Sequence, residues 1–486
     1  MLALAATLIA GGCAGPPRGH DRVPETGLRT DATAPAAPEA PLCDPCPGKP
    51  ASGGTLTIAL PDNIDPARAP EPANESERTV FRNFYETLVT VACDGEARPG
   101  LAESWSAADG GRRWTFTLRD GARFWDGRPV TSPDVQAAWT TTQRRAQAAD
   151  CLLPWAWLDA EAASVRLLDA RRLSIQLPEP QADFPLLLAH PAYAVALPAP
   201  GAPWPLGTGP CRPLGGTGPL TCIPNPHHPE GHPAWERIVF AAPAAAWPAD
   251  GSDVALGAGS VSLATVIDGG IVTHPPWNRI VLFLCPAGGA EAARWTADPR
   301  LGEALPDVGP ATVLVFPGVW GDTCPQLAGP AAGRGAPARA DSASAPPSGR
   351  LLYPQGDPLA RELARRMAAG GGGMAVEISA ASWPAALRDG RAGGYVLSVS
   401  RCFATPCLQL AALLGSASWL QNAALGGGGA APEEAARRLI ASGVATPLVT
   451  TRSRLVFRPG VVGLRVAPDG ALLLAGAGRA GRAGPP

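Results

Sequence analysis

The chain has 486 residues, 46% of them hydrophobic, enough for a sizeable core and more than one domain usually holds. Only 17% are charged and the formal net charge is −2, so no basic stripe exists to neutralise a run of phosphates, which argues against a nucleic-acid partner. The 57 Gly and 56 Pro follow no period and sit among Trp, Leu and Val, which reads as long loops rather than collagen or disorder.

At the start, Met1-Leu-Ala-Leu-Ala-Ala-Thr-Leu-Ile-Ala10 is a short apolar run that ends in Gly11-Gly12-Cys13. That order resembles the lipobox of a bacterial lipoprotein signal peptide. The resemblance implies that residues 1–13 carry the signal and that the Cys13 sulfur receives lipid, anchoring the chain to the cell membrane. Residues 14–52 are Pro, Ala, Gly and charge without hydrophobic periodicity, the composition of a disordered tether. No later segment reaches the ~18 uninterrupted apolar residues of a spanning helix. Setting Cys13 aside leaves ten cysteines, an even number that an exported chain can hold as disulfides. Local bridges such as Cys211 to Cys222 and Cys402 to Cys407 are open possibilities, and spacing does not choose among the connectivities.

In the folded part, Gly54-Thr-Leu-Thr-Ile-Ala-Leu60 alternates as a strand and Pro61-Asp-Asn-Ile-Asp-Pro66 turns it. Val80, Phe81, Phe84, Tyr85 and Leu88 then recur at helical spacing, predicting a helix over 77–89. Trp114-Thr-Phe-Thr-Leu118 alternates as a second strand. Ser132 as N-cap with Pro133 at the first helical position opens another helix. Residues 165–168 and 173–177 form a hairpin. Further on, strands at 350–353, 374–378 and 395–399 alternate with helices at 358–369 and 384–388, which predicts a parallel sheet with covering helices. Residues 447–474 return to β-like alternation.

The ordered series Pro99-Gly-Leu-Ala-Glu-Ser-Trp105, Asp109-Gly110, Trp114-Thr-Phe-Thr-Leu-Arg-Asp-Gly121, Phe124-Trp-Asp-Gly127 and Pro133-Asp-Val135 resembles solute-binding protein family 5, the dipeptide- and oligopeptide-binding proteins of ABC importers. Phe84-Tyr-Glu-Thr-Leu-Val89 and Gly207-Thr-Gly-Pro210 add to the likeness, with Cys211 where the family has tyrosine. The resemblance implies an α/β, two-lobed periplasmic-binding-protein-like fold of type II, with an extra β-rich subdomain in lobe one. On that plan lobe one runs 53–270 with its insert at about 91–205, lobe two runs 271–445, and 446–486 returns to lobe one before a C-terminal tail. It also implies a non-enzymatic, monomeric receptor for a peptide or peptide-like solute, with an ABC importer permease as partner. An orphan sensor lipoprotein is the second reading and a secreted hydrolase the third.

No phosphate loop, GxSxG elbow or HExxH helix is present, so no cofactor, catalytic residue or metal is assigned. Cys43-Asp-Pro-Cys46 and His227-His228 with His232 read as tether and solvated loop. After the strand at 395–399 the family's peptide binders place an aspartate against the ligand's amino terminus, whereas this chain has Ser400-Arg-Cys-Phe-Ala-Thr-Pro406. The candidate ligand contacts are therefore Arg401, which suits a carboxylate or phosphate, with Phe403 and Tyr85 as apolar walls.

Overall fold

The computed structural model describes residues 46, 48–92, 95–145, 164–177, 180–215, 219–229, 233–241, 251–258, 271–273, 279–298, 301–303, 305, 308–311, 348–379, 381–400, 406–426, 430, 432–451 and 453–480. The lipobox at 1–13, with Cys13, and all of the tether except 46 and 48–52 lie outside that set. So do Arg401 and Phe403.

Two large sheets carry the chain. Among the described residues the first has seven strands, in the order Ile271–Thr273, Ser453–Phe457, Val254–Ala258, Thr55–Ala59, Arg237–Ala241, Leu220–Pro224 and Cys211–Pro213. Thr55–Ala59 runs parallel to both its neighbours, and the other pairings are antiparallel. The alternation read in residues 54–60 is what this position needs, because Leu56 and Ile58 drop into a core with Val80, Phe84, Trp235 and Phe240.

The second sheet has six described strands, in the order Val308–Pro310, Ala445–Thr451, Arg279–Leu284, Ala392–Ser400, Ser348–Pro354 and Met374–Ile378. Only the last three are mutually parallel, so the expected parallel sheet is a mixed one. Its helices fit their sequence signals. Asp357 caps Pro358–Gly371 by accepting from the Ala360 amide at 2.9 Å, and Gly372 ends that helix in the left-handed region. Arg279–Leu284 is buried on both faces, with Ile280 and Leu282 in one core and Val281 and Phe283 in the other. That double burial explains its unbroken apolar run.

The strand pairings also move the lobe boundaries. Ile271–Thr273, assigned above to lobe two, hydrogen-bonds in the first sheet, and Ala445–Thr451, straddling the expected return at 446, hydrogen-bonds in the second. The chain crosses between the sheets at 273–279 and 451–453.

Among the described residues the insert is a four-stranded antiparallel sheet in the order Ala102–Ala108, Arg113–Leu118, Arg172–Gln176 and Ser164–Leu167. Phe116, Leu118, Leu173 and Ile175 face the helix Ser132–Arg145 through Val135 and Trp139. The cap of that helix differs from the expectation. The Thr131 amide donates to Asp134 Oδ2 at 2.8 Å, the reaching-back half of a capping box, while the Ser132 hydroxyl donates to the Asp169 carbonyl and ties the helix to the hairpin turn.

Candidate polar seam between the lobes

The helix Glu75–Phe84 is two turns of apolar stripe backed by polar residues that are themselves buried. Asn74 caps it by accepting from the Glu77 amide at 2.8 Å. It ends at Phe84, not near 89 as the periodicity suggests, because Tyr85 turns extended and the Phe84 carbonyl accepts from the Gly209 amide at 2.9 Å. Val89 continues as a strand, Val89–Val91.

From the polar side of this helix a network crosses to the second sheet. Arg78, completely buried, donates from Nη2 to Ser400 Oγ at 2.9 Å and from Nη1 to the Asp469 carbonyl at 3.2 Å. One turn on, Arg82 Nε donates to Asp469 Oδ2 at 2.9 Å. Asn83 Nδ2 donates to the Leu472 carbonyl at 2.7 Å, and its Oδ1 accepts from the Leu474 amide at 2.9 Å. Ser400, the last residue of Ala392–Ser400, accepts on its own carbonyl from Gln409 Nε2 at 3.2 Å. A serine gripped from both lobes thus directly precedes the 401–405 segment.

The electrostatics of the seam follow from burial. Burial alone would raise the Asp469 carboxyl, yet the Arg82 and Arg78 guanidiniums, with hydrogen bonds from Arg82 and the Ala471 amide, hold it below the usual carboxylate range. His190 is pushed down to about 3, first by burial and then by the charge of Arg82, so it is a neutral imidazole. Its Nδ1 accepts from the Ala192 amide at 3.1 Å.

A second polar cluster braces lobe one beneath the Gly207–Pro210 loop. Arg119 Nη2 donates to Glu86 Oε1 and Oε2 at 3.0 and 3.1 Å, and His228 Nε2 lies 3.2 Å from Oε1. Burial would raise the Glu86 carboxyl, but the His228 hydrogen bond and the Arg119 charge outweigh it and hold it low. Asn225 Nδ2 donates to the Thr208 and Gly209 carbonyls at 3.3 and 2.9 Å. A Cβ on Gly209 would stand 2.5 Å from the Asn83 carbonyl oxygen, which is why the loop needs glycine there.

Tyr85 is not a cleft wall in this structure. It is 2% exposed, packs against Phe81, Phe84 and Trp125, and donates to the Pro205 carbonyl at 3.3 Å. Its helical spacing marked it for the core, and the core is where it lies. The seam residues Arg78, Ser400, Gln409 and Asp469 escaped sequence reading. Arg78 and Arg82 stand four apart, a visible signal of a shared face, but Asp469 is 387 residues from Arg82. Among the described residues no group of three or more His, Cys, Asp or Glu side chains is arranged to hold a metal ion, and His228 is engaged with Glu86. No described helix is long and apolar enough to cross a membrane.

Among the described strands, two large sheets joined by two crossovers and linked through a polar seam define a two-lobed fold of type II. Residues 96–221 match the model of bacterial extracellular solute-binding proteins, family 5 Middle. In sequence the chain is similar to the periplasmic murein peptide-binding protein MppA of Escherichia coli, 35% identical over 150 residues, which are 27% of this chain and 26% of MppA. It is also similar to the nickel-binding periplasmic protein of Escherichia coli, 31% identical over 140 residues, 28% of this chain and 25% of that one. The sequence match thus spans about a quarter of the curated relatives. In structure it resembles the dipeptide-binding protein of Pseudoalteromonas sp. SM9913 in complex with Met-Leu, with a TM-score of 0.63 at 13% identity, covering 88% of this chain and 100% of that one. The shared fold therefore extends far beyond the stretch where sequence similarity survives.

Proposed function

We propose that this chain is an extracytoplasmic, non-enzymatic receptor that captures a peptide or peptide-like solute between its lobes and delivers it to an ABC importer permease. The observation that carries the reading is the seam itself. The lobes meet through the hydrogen bond from Arg78 to Ser400, with Asp469 bracing Arg78 from within lobe one, and a contact of that kind can be exchanged when the lobes move. The names of the relatives support it: murein peptide for MppA and Met-Leu for the dipeptide-binding protein. The similar proteins also include a nickel-binding periplasmic protein, so ligand class does not follow from the likeness.

Within this proposal the receptor acts as a monomer held to the membrane by lipid on Cys13, with a tether that ends before residue 46, because Cys46 is buried in the first core and Pro50–Ala51 pairs with the strand Gly478–Ala480 rather than belonging to a disordered 14–52. Arg401, following Ser400, is the candidate anchor for an anionic ligand group, and Phe403 a candidate apolar contact. A guanidinium grips carboxylate or phosphate with two parallel hydrogen bonds. Calorimetric titration of the wild type and Arg401→Ala with free and N-acetylated di- and tripeptides tests both levels. Binding of acetylated or acidic peptides, weakened about tenfold or more by the substitution, is the expected result. Failure of the whole panel to bind would overturn the peptide reading. Preference for free amines, untouched by the substitution, would overturn only the role of Arg401.

A further inference from the structure

The hairpin Cys211–Pro213 and Leu220–Pro224 places two thiols together. Cys211 lies opposite Pro224 and Cys222 opposite Pro213, so the two side chains project from one face of the sheet, one diagonal step apart. Both are completely buried and stand side by side as free thiols. Two other described cysteine sulfurs turn elsewhere: Cys46 donates to the Leu464 carbonyl at 3.9 Å and Cys285 to the Gly393 carbonyl at 3.6 Å. A disulfide requires the sulfurs to close to ~2.05 Å and the Cα atoms to stand within ~7 Å, so a diagonal pair must draw its strands slightly together as well as turn its side chains.

We infer that Cys211 and Cys222 form a disulfide in the exported protein, clipping the hairpin that carries the Gly207–Pro210 loop. Cys211 follows that loop directly. Cys222 stands three residues before Asn225, whose amide donates to the Pro210 carbonyl at 2.8 Å and whose side chain holds Thr208 and Gly209. The bond therefore fixes the two strands that grip the loop against the end of the helix Glu75–Phe84.

The chemistry balances by exchange with a disulfide oxidant, either a small-molecule disulfide or a disulfide-bearing oxidoreductase. One cysteine thiolate attacks an oxidant sulfur and expels a thiolate. The second cysteine thiolate then attacks the mixed disulfide, expelling the other, so the protein loses two electrons and two protons and the oxidant gains them as two thiols. In the folded chain burial pushes the Cys222 thiol well above its ordinary range, with Cys211 beside it adding to the rise. Buried thiols are poor nucleophiles, so the exchange belongs to the folding stage, before the hairpin closes.

The inference goes beyond ligand binding and takes only its oxidising compartment from the extracytoplasmic reading. Its test uses no ligand, so the two can fail separately. The full chain is refolded in a buffer of reduced and oxidised glutathione, its thiols are blocked, and it is digested without reduction for mass spectrometry. The expected product is one linked peptide pair carrying Cys211 and Cys222, two hydrogens lighter than the separate peptides and split by reductant. Recovery of both residues as blocked thiols, or of either bonded to another cysteine or to glutathione, overturns the inference. The double variant Cys211→Ser, Cys222→Ser is expected to melt a few degrees lower than the oxidised wild type and to lose the effect of reductant. Equal melting of oxidised and reduced wild type would overturn the clip's role.

Discussion

Arg78 and Ser400 lie 322 residues apart in the chain, yet Nη2 of one donates to Oγ of the other over 2.9 Å. One belongs to the first long helix and the other to the central strand of the second sheet, so this bond spans the two lobes.

Removing one partner of a buried charged hydrogen bond leaves the other desolvated and unsatisfied. Arg78→Ala should therefore cost about 3 kcal/mol of stability or more, and Ser400→Ala about 1–2 kcal/mol. Because the two share one bond, the double variant should lose less than the sum. Urea denaturation of the four proteins gives the cycle. Strict additivity would mean that the contact contributes nothing of its own.

His190 sets a pH dependence with a definite sign. Its ordinary value is 6.5 and the folded one about 3, so between these limits the unfolded chain binds a proton that the folded one does not. Stability then falls as pH falls, by about 1.4 kcal/mol per pH unit at most, from just below 6.5 down to the folded value. Asn can accept from the Ala192 amide as the ring does, so His190→Asn should keep the cap and flatten this slope. Denaturant midpoints from pH 7 to 4 measure it, and identical slopes in the two proteins would remove His190 as the cause.

Arg119 Nη2 pairs with Glu86 Oε1 at 3.0 Å, with both side chains nearly buried. Glu86→Gln leaves that nearly buried guanidinium without its counter-charge and should cost about 3 kcal/mol. The carboxyl is held low in the fold, so its contribution is present above the unfolded carboxylate pKa and is lost as pH falls through the folded value. The variant should therefore lose less stability on acidification than the wild type, as read from urea midpoints at pH 7 and pH 4.

Much of lobe one was legible because its signals are local. The alternation in 114–118 produced the strand Arg113–Leu118 and the 165–177 pattern its hairpin with Val165 opposite Ile175; in lobe two the amphipathic pattern at 358–369 likewise produced the helix Pro358–Gly371. Where local signals met a long-range partner, the partner prevailed. Ser132 became the first helical residue rather than the cap, with its hydroxyl donating to the Asp169 carbonyl, and the first helix stopped at Phe84, whose carbonyl accepts from the Gly209 amide.

By itself the sequence determined the class of fold and the order of its elements, since turn chemistry, caps and apolar periods are written in neighbouring residues. Only the tertiary structure decided which strands share a sheet, that Tyr85 packs in a core, that Cys211 touches Cys222, and that Arg78, Ser400 and Asp469 make one seam. Those outcomes depend on burial and pairing between segments up to hundreds of residues apart, and no local pattern encodes the partner of a buried polar group.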